Sequence, residues 1–141
     1  MSEELNILYQ DQWLVAIDKP AGHLVHPADM PAEGDKVAMK ILRDQIGERV
    51  HTIHRLDRPT SGVLLFALEK QTARKLHKAL ETHQFEKTYW AVVQGIAPAD
   101  QWECHEPIQK EEGAPIRDAH TSFRVLTSRS VAALSELTNK A

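Results

Sequence analysis

The sequence is short of most features that assign a protein quickly. It holds one cysteine, Cys104, so neither a disulfide framework nor a multi-thiolate metal centre can form, and a lone thiol fits a reducing compartment. Its six glycines are scattered, and no Gly-rich phosphate loop is present, which argues against nucleotide cofactors. No apolar run approaches the ~18 residues of a membrane span, and residues 1–6 are polar and acidic rather than a targeting segment. The expected address is therefore the cytoplasm, away from any membrane. Positive charge is not in excess either: 17 Lys and Arg face 20 Asp and Glu, a net charge of −3. Such a chain has no global attraction for a polyanion, so any nucleic acid must be held locally. Repeats, low-complexity tracts and Gly/Ser linkers are also missing, and the 141 residues read as one continuous piece.

With 42% hydrophobic and 26% charged residues, the composition is that of a folded globular domain. Two short apolar runs, 5–9 and 13–17, separated by Gln10-Asp11-Gln12, predict a hairpin. Pro20 and Gly22 stop it, and a loop with Pro27, Pro31 and Gly34 follows. From Lys36 the apolar residues Val37, Ala38, Ile41, Leu42 and Ile46 recur at helical spacing, with Gly47 as the C-terminal stop. Residues 51–59 have no apolar period and read as a loop. The uninterrupted run 62–68 is a strand covered on both faces. Residues 70–84 set Ala73, Leu76 and Leu80 on one side and Lys70, Arg74 and Lys78 on another, an amphipathic helix. The β-rich stretch 88–94 predicts a further strand, and so do 101–105 and 120–127 around a turn at 111–118. Residues 131–137 read as strand or short helix. The pattern is α+β, a mostly antiparallel mixed β-sheet with flanking helices.

The densest cluster of reactive groups is His54-Arg55-Leu56-Asp57-Arg58-Pro59-Thr60-Ser61-Gly62, just before the apolar strand. A carboxylate flanked by two arginines stays ionised and can serve as nucleophile or general base; a plain loop salt bridge is the competing reading. Residues 51–90 carry seven Lys and Arg against four Asp and Glu, a local excess of three in an acidic chain. Phosphate would be felt there, although a solvated helix face has the same look. Two His-x-x-His pairs, His23/His26 and His51/His54, raise a metal site, but no His-Glu-x-x-His or paired Cys-x-x-Cys accompanies them, and none is expected. Ser61 lacks a nucleophile elbow, which sets a hydrolase aside. Trp13 and Trp90 are expected to fill core, Trp102 fits either environment, and Cys104 reads as a small packed group.

The segment HRLDRPTSG at 54–62, with the strand after it, closely resembles the signature of the RluA-type pseudouridine synthases. Three further stretches align in the same order: Asp18-Lys-Pro-Ala-Gly22 with Val25-His-Pro27, the run 86–95 (EKTYWAVVQG), and Ser135-Glu-Leu137. The resemblance implies the family's catalytic-domain fold, left incomplete, with 1–141 as the N-terminal two-thirds of a single catalytic domain. It implies an enzyme that isomerises uridine in RNA without a cofactor. Asp57 would be the catalytic carboxylate and Tyr89 the active-site tyrosine stacking on the uracil. Arg55 would fill the space of a flipped-out base, with His54, Leu56, Arg58, Lys70, Arg74 and Lys78 as the remaining RNA-binding residues. The opening ILYQDQWLVAIDKP points to the branch acting on position 65 of the tRNA acceptor stem. Ribosomal RNA and a noncatalytic RNA-binding module stay as alternatives, and the oligomeric state is open, a monomer among the options. The family's Gly-Arg-x-His-Gln-Ile-Arg type segment would begin just after Ala141. Without its arginine the expectation is a truncated chain that binds RNA weakly at most and turns over little.

Overall fold

The computed structural model describes residues 4–27, 32–109 and 111–128. The chain forms two compact units, Met1–Thr88 and Tyr89–Ala141. In the first, β1 (Asn6–Gln10), β2 (Leu14–Lys19), β3 (His51–Thr52) and β4 (Gly62–Ala67) make a sheet of order β1-β2-β4-β3 in which every pairing is antiparallel. The helices are α1 (Ala38–Ile46) and α2 (Lys70–Glu81).

The hairpin turn is built by Asp11. Its carboxylate accepts the N–H groups of Trp13 and Leu14, both at 2.8 Å, and its own N–H donates to Leu14 O. An Asp side chain satisfies the turn's orphan donors this way, and those two N–H groups hold its pKa below the ordinary carboxylate value.

Strand alternation sends the two faces of the sheet to different partners. Val15 stands opposite Phe66 and Ile17 opposite Leu64. These four side chains are fully buried, in one cluster with Ala38 and Leu42 of α1, Leu5, Val25, Val50 and Leu56. The opposite face carries Ala67, which joins Ile53 and Ala73 of α2, with Leu65, Leu76 and Leu80 against them. Residues 62–68 therefore read as an unbroken apolar run because β4 is covered on both sides, with only Val63 well exposed. Helix α1 ends at Gly47, whose left-handed backbone (φ 72°) lets its N–H reach Arg43 O. From the same last turn the Gln45 amide accepts Leu5 N–H at 2.8 Å and donates to Leu5 O at 3.0 Å, standing in for a strand at the start of β1.

In the second unit β5 (Gln101–Cys104) pairs antiparallel with β6 (Thr121–Arg124), and Trp102 stacks on Phe123 with ring centroids 4.7 Å apart. The strand expected at 88–94 does not form. Its residues have strand chemistry, but a strand needs a neighbouring ladder, and none of the described residues pairs with them. Trp90 is 86% exposed and Trp13 49%, so neither fills core as expected. In β2, Val15 and Ile17 point inward, and Trp13 sits before the strand in the turn. The segments 131–137 and Ser135-Glu-Leu137 lie outside the described residues, as does Pro31.

Replacing Gln45 with Ala removes both bonds to Leu5 and is expected to cost about 1–2 kcal/mol, at the ordinary worth of a hydrogen bond. Urea denaturation with an unchanged slope is the check.

Candidate active site

Residues 53–61 form the loop between β3 and β4. Ile53 and Leu56 are buried, in the two opposite core clusters, while Arg55 and Asp57 project outward. A turn closed by Thr60 N–H to Asp57 O, 3.0 Å, ends this alternation. Apolar anchors thus fix the backbone and leave the reactive groups in solvent.

Three further contacts pin the loop. The first is His54, whose Nε2 accepts Leu65 N–H at 3.1 Å. A backbone N–H can only donate, so Nε2 carries the lone pair and the proton of the neutral ring sits on Nδ1. β3 stops at Thr52, and the imidazole supplies β4 with the acceptor that another strand residue would have given. Burial, and then the charge of Lys87, lower the His54 pKa.

The second contact is Lys19. It continues the inward face of β2 after Val15 and Ile17 and is fully buried. Its ammonium donates to Pro20 O (2.9 Å), His23 O (2.9 Å) and Arg58 O (3.4 Å), one carbonyl for each of its three N–H groups. Burial pushes its pKa down, but three carbonyl dipoles support the charged form.

The third is Arg58. Gly22 N–H donates to Arg58 O at 2.7 Å, Arg58 Nε returns a bond to Gly22 O at 3.1 Å, and Nη1 pairs with the Asp35 carboxylate at 3.0 Å. Gly22 adopts φ 88°, a conformation glycine takes without strain. The early Lys-Pro-Ala-Gly turn and the His-Arg-Leu-Asp loop are thereby one knot.

Asp57 stands on this knot with a side chain 75% exposed, and its charged neighbour is Arg55 at 3.5 Å. The two flanking arginines expected from the sequence reduce to one, because the Arg58 guanidinium turns to Gly22 and Asp35. Of the α2 cations, Lys70 and Arg74 line a cavity of about 500 Å³ between α1 and α2, and Lys78 is not in its wall. Tyr89 belongs to the second unit, 59% exposed in a segment without regular structure. The sequence reading gave no structural task to Lys19, nor to Asp35. The signal was a lysine on the inward parity of an apolar strand.

Among the described residues, Glu103, His105 and His120 could hold a metal ion, their ligand atoms lying within 4.8 Å of one another. The two imidazoles stack at 4.3 Å beside the Glu103 carboxylate, and all three residues are exposed. Sequence spacing hides this group, because the β5–β6 pairing brings it together. His54, from one of the His-x-x-His pairs, has its Nε2 already engaged.

A family model described as RNA pseudouridylate synthase matches residues 13–140. The chain is 55% identical over 96 residues to tRNA pseudouridine synthase C of Pectobacterium carotovorum subsp. carotovorum, covering 68% of this chain and 26% of that protein. With tRNA pseudouridine synthase C of Haemophilus ducreyi it shares 50% identity over 106 residues, 75% of this chain and 43% of the relative. It thus spans less than half the length of these curated relatives. Human RNA Pseudouridylate Synthase Domain Containing 4 superposes with a TM-score of 0.60 at 28% identity, covering 88% of this chain and 49% of that one. Human RNA Pseudouridylate Synthase Domain Containing 1 superposes at 0.70 and 20% identity over 89% and 54%, a likeness of fold alone.

Lys19→Met keeps the stem and deletes the ammonium. It is expected to destabilise the chain by about 2–4 kcal/mol, since charge-assisted bonds go and carbonyls are left unpaired, read as a lower urea midpoint. For His54 the folded pKa lies below the ordinary 6.5. Above 6.5 both states are neutral; as pH falls from there toward the folded value, the unfolded chain takes up a proton that the folded chain refuses, so stability falls. His54→Gln keeps an acceptor without that titration, so between pH 7.5 and 5.5 its urea midpoint should fall less than that of the wild type.

Proposed function

The chain belongs to the RNA pseudouridylate synthase family, and on that footing we propose that it is the part of an RNA pseudouridine synthase that carries the reacting carboxylate, acting on tRNA. The observation that carries this reading is the placement of Asp57: exposed, next to Arg55, on a loop held by Lys19, His54 and Arg58. A group that must meet a substrate needs exposure with a fixed backbone, and the loop supplies both.

A uracil stacked in a helix is out of reach, so the nucleotide has to swing out, at a cost of about a few kcal/mol of unstacking. Arg55, on the same loop and 71% exposed at its side chain, is suited to enter the vacated space. The Asp57 carboxylate then attacks the uridine at the ribose C1′ or the uracil C6. The glycosidic C–N bond breaks, the base turns and C5 bonds to the ribose; the bond to Asp57 then breaks, and the C5 proton leaves while N1 takes one up, so uridine becomes pseudouridine with no net gain or loss of atoms. Tyr89 is assigned to stacking on the uracil. His54 and Arg58 act through the loop, as positioning residues. No cofactor enters the scheme.

The names of the curated relatives favour tRNA over ribosomal RNA, and position 65 of the acceptor stem is the finer assignment. Among the described residues no helix is long and apolar enough to cross a membrane; a cytoplasmic address goes with the tRNA substrate. Among the described residues Arg55 is the one cation paired with the exposed Asp57, and this chain by itself is expected to turn over little.

Tritium release from tRNA labelled at uracil C5 tests the scheme. The chain alone should release little label. A chimera that adds the Haemophilus ducreyi relative's residues on the C-terminal side of the matched region should release it. Asp57→Ala in the chimera should abolish release and leave tRNA affinity within about threefold, because the lost group acts in the transition state rather than in binding. Undiminished release by the alanine variant would remove Asp57 from the chemistry.

A further inference from the structure

The first unit also holds a cavity of about 500 Å³ between α1 and α2 to which no role has been given. Its wall holds Lys40 and Arg43 from α1, Arg49 from the turn after it, and Lys70 and Arg74 from α2, and no carboxylate. Val50 and Ala73 give it an apolar floor, and His77 fixes one side by its hydrogen bond to Thr52 O at 3.0 Å. Residues 1–88 contain 12 Lys and Arg against 13 Asp and Glu, so five cations have gathered in a unit that is acidic on balance. Arg43 is offset by Asp44 at 2.7 Å; among the described residues no carboxylate pairs with Lys40, Arg49, Lys70 or Arg74. Like charges brought together from three chain segments without counter-charge are unfavourable for folding. An anion received by the cavity would supply the counter-charge that Lys40, Arg49, Lys70 and Arg74 lack among the described residues.

The cavity is also far from the reacting carboxylate. His51 and Thr52, in its wall, stand opposite Ala67 and Phe66 at the end of β4. The Asp57 loop enters β4 at its beginning, Gly62. Five residue steps of strand separate these ends, roughly 16 Å.

We propose that this cavity is an anchoring site for the phosphodiester backbone of the RNA, engaging at least two phosphates remote from the nucleotide that Asp57 addresses. The inference rests on the RNA reading above and adds a second, distant point of attachment to it. Arginine forks suit phosphate oxygens, and lysines add charge. Such contacts carry no sequence information and set the register of the RNA on the protein. A site of this kind resolves the conflict between an overall acidic chain and a polyanionic substrate.

The test is fluorescence anisotropy of a labelled RNA stem-loop with the 141-residue chain across 50–200 mM KCl. Arg49→Ala/Arg74→Ala is expected to weaken binding at least tenfold at the low-salt end. It should also reduce the slope of log affinity against log salt by roughly 1.4–1.8, the value for two lost phosphate contacts. Both positions are exposed, so the far-UV circular dichroism should not change, and Arg49→Lys/Arg74→Lys should restore most of the affinity. Inorganic phosphate should compete only at tens of millimolar. If the wild type binds RNA and the alanine pair binds it equally with the same slope, the anchoring site is overturned while the RNA reading stands. If the wild type binds no RNA at 50 mM KCl, the anchor is overturned, and the RNA reading is decided by the tritium release of the chimera. Submillimolar phosphate binding that RNA does not displace would identify a free-phosphate site and also overturn the proposal.

Discussion

The site depends on one buried ammonium group. Lys19 occupies an inward position of β2 where Val15 and Ile17 would lead one to expect another aliphatic side chain, and among the described residues no carboxylate pairs with it. Taking an ammonium out of water costs several kcal/mol unless its donors are satisfied. Here each N–H finds a carbonyl, two from the turn after β2 and one from Arg58. Arg58 O also takes the Gly22 N–H, so the ammonium ties the turn after β2 to the Asp57 loop at a carbonyl the two segments already share. Cation and loops are therefore mutually required, and the backbone one residue from Asp57 is set by the strand end rather than by the loop's own preferences.

The division of labour along β4 follows from the same geometry. One end receives the loop bearing Asp57 and Arg55; the other lies beside the cation-lined cavity. The strand between them is covered on both faces by separate apolar clusters, so its backbone is held from both sides. Two attachment points on a rigid strut hold a flexible polymer better than the same contacts on loops, since the separation between them does not have to be ordered on binding.

Much of this was legible from the residues. Helical spacing from Lys36 and Gly47 located α1, the Ala73, Leu76 and Leu80 face located α2, and the run at 62–67 announced a strand covered twice. The loop at 54–62 stood out for its density of polar groups and its resemblance to the family signature, and the structure exposes Asp57 on it beside Arg55. What stayed hidden depends on pairing at a distance. Whether 88–94 becomes a strand is decided by the presence of a neighbour, which local composition does not carry. That Arg58 turns to Asp35 and Gly22 rather than to Asp57 is a matter of which way a loop folds back. Trp13 reads as core by its chemistry and is half exposed because it falls in the turn that Asp11 organises.

The imidazole that takes the Leu65 amide has an effect beyond fixing a loop. A strand as short as β3 would otherwise leave its neighbour with a free main-chain donor, and such donors are what adjoining molecules use to add themselves to a sheet. Here a ring already sits on that donor, and a ring cannot propagate a ladder. At this point the protein closes its border with a side chain, which lets the strand end early without leaving the Leu65 donor open.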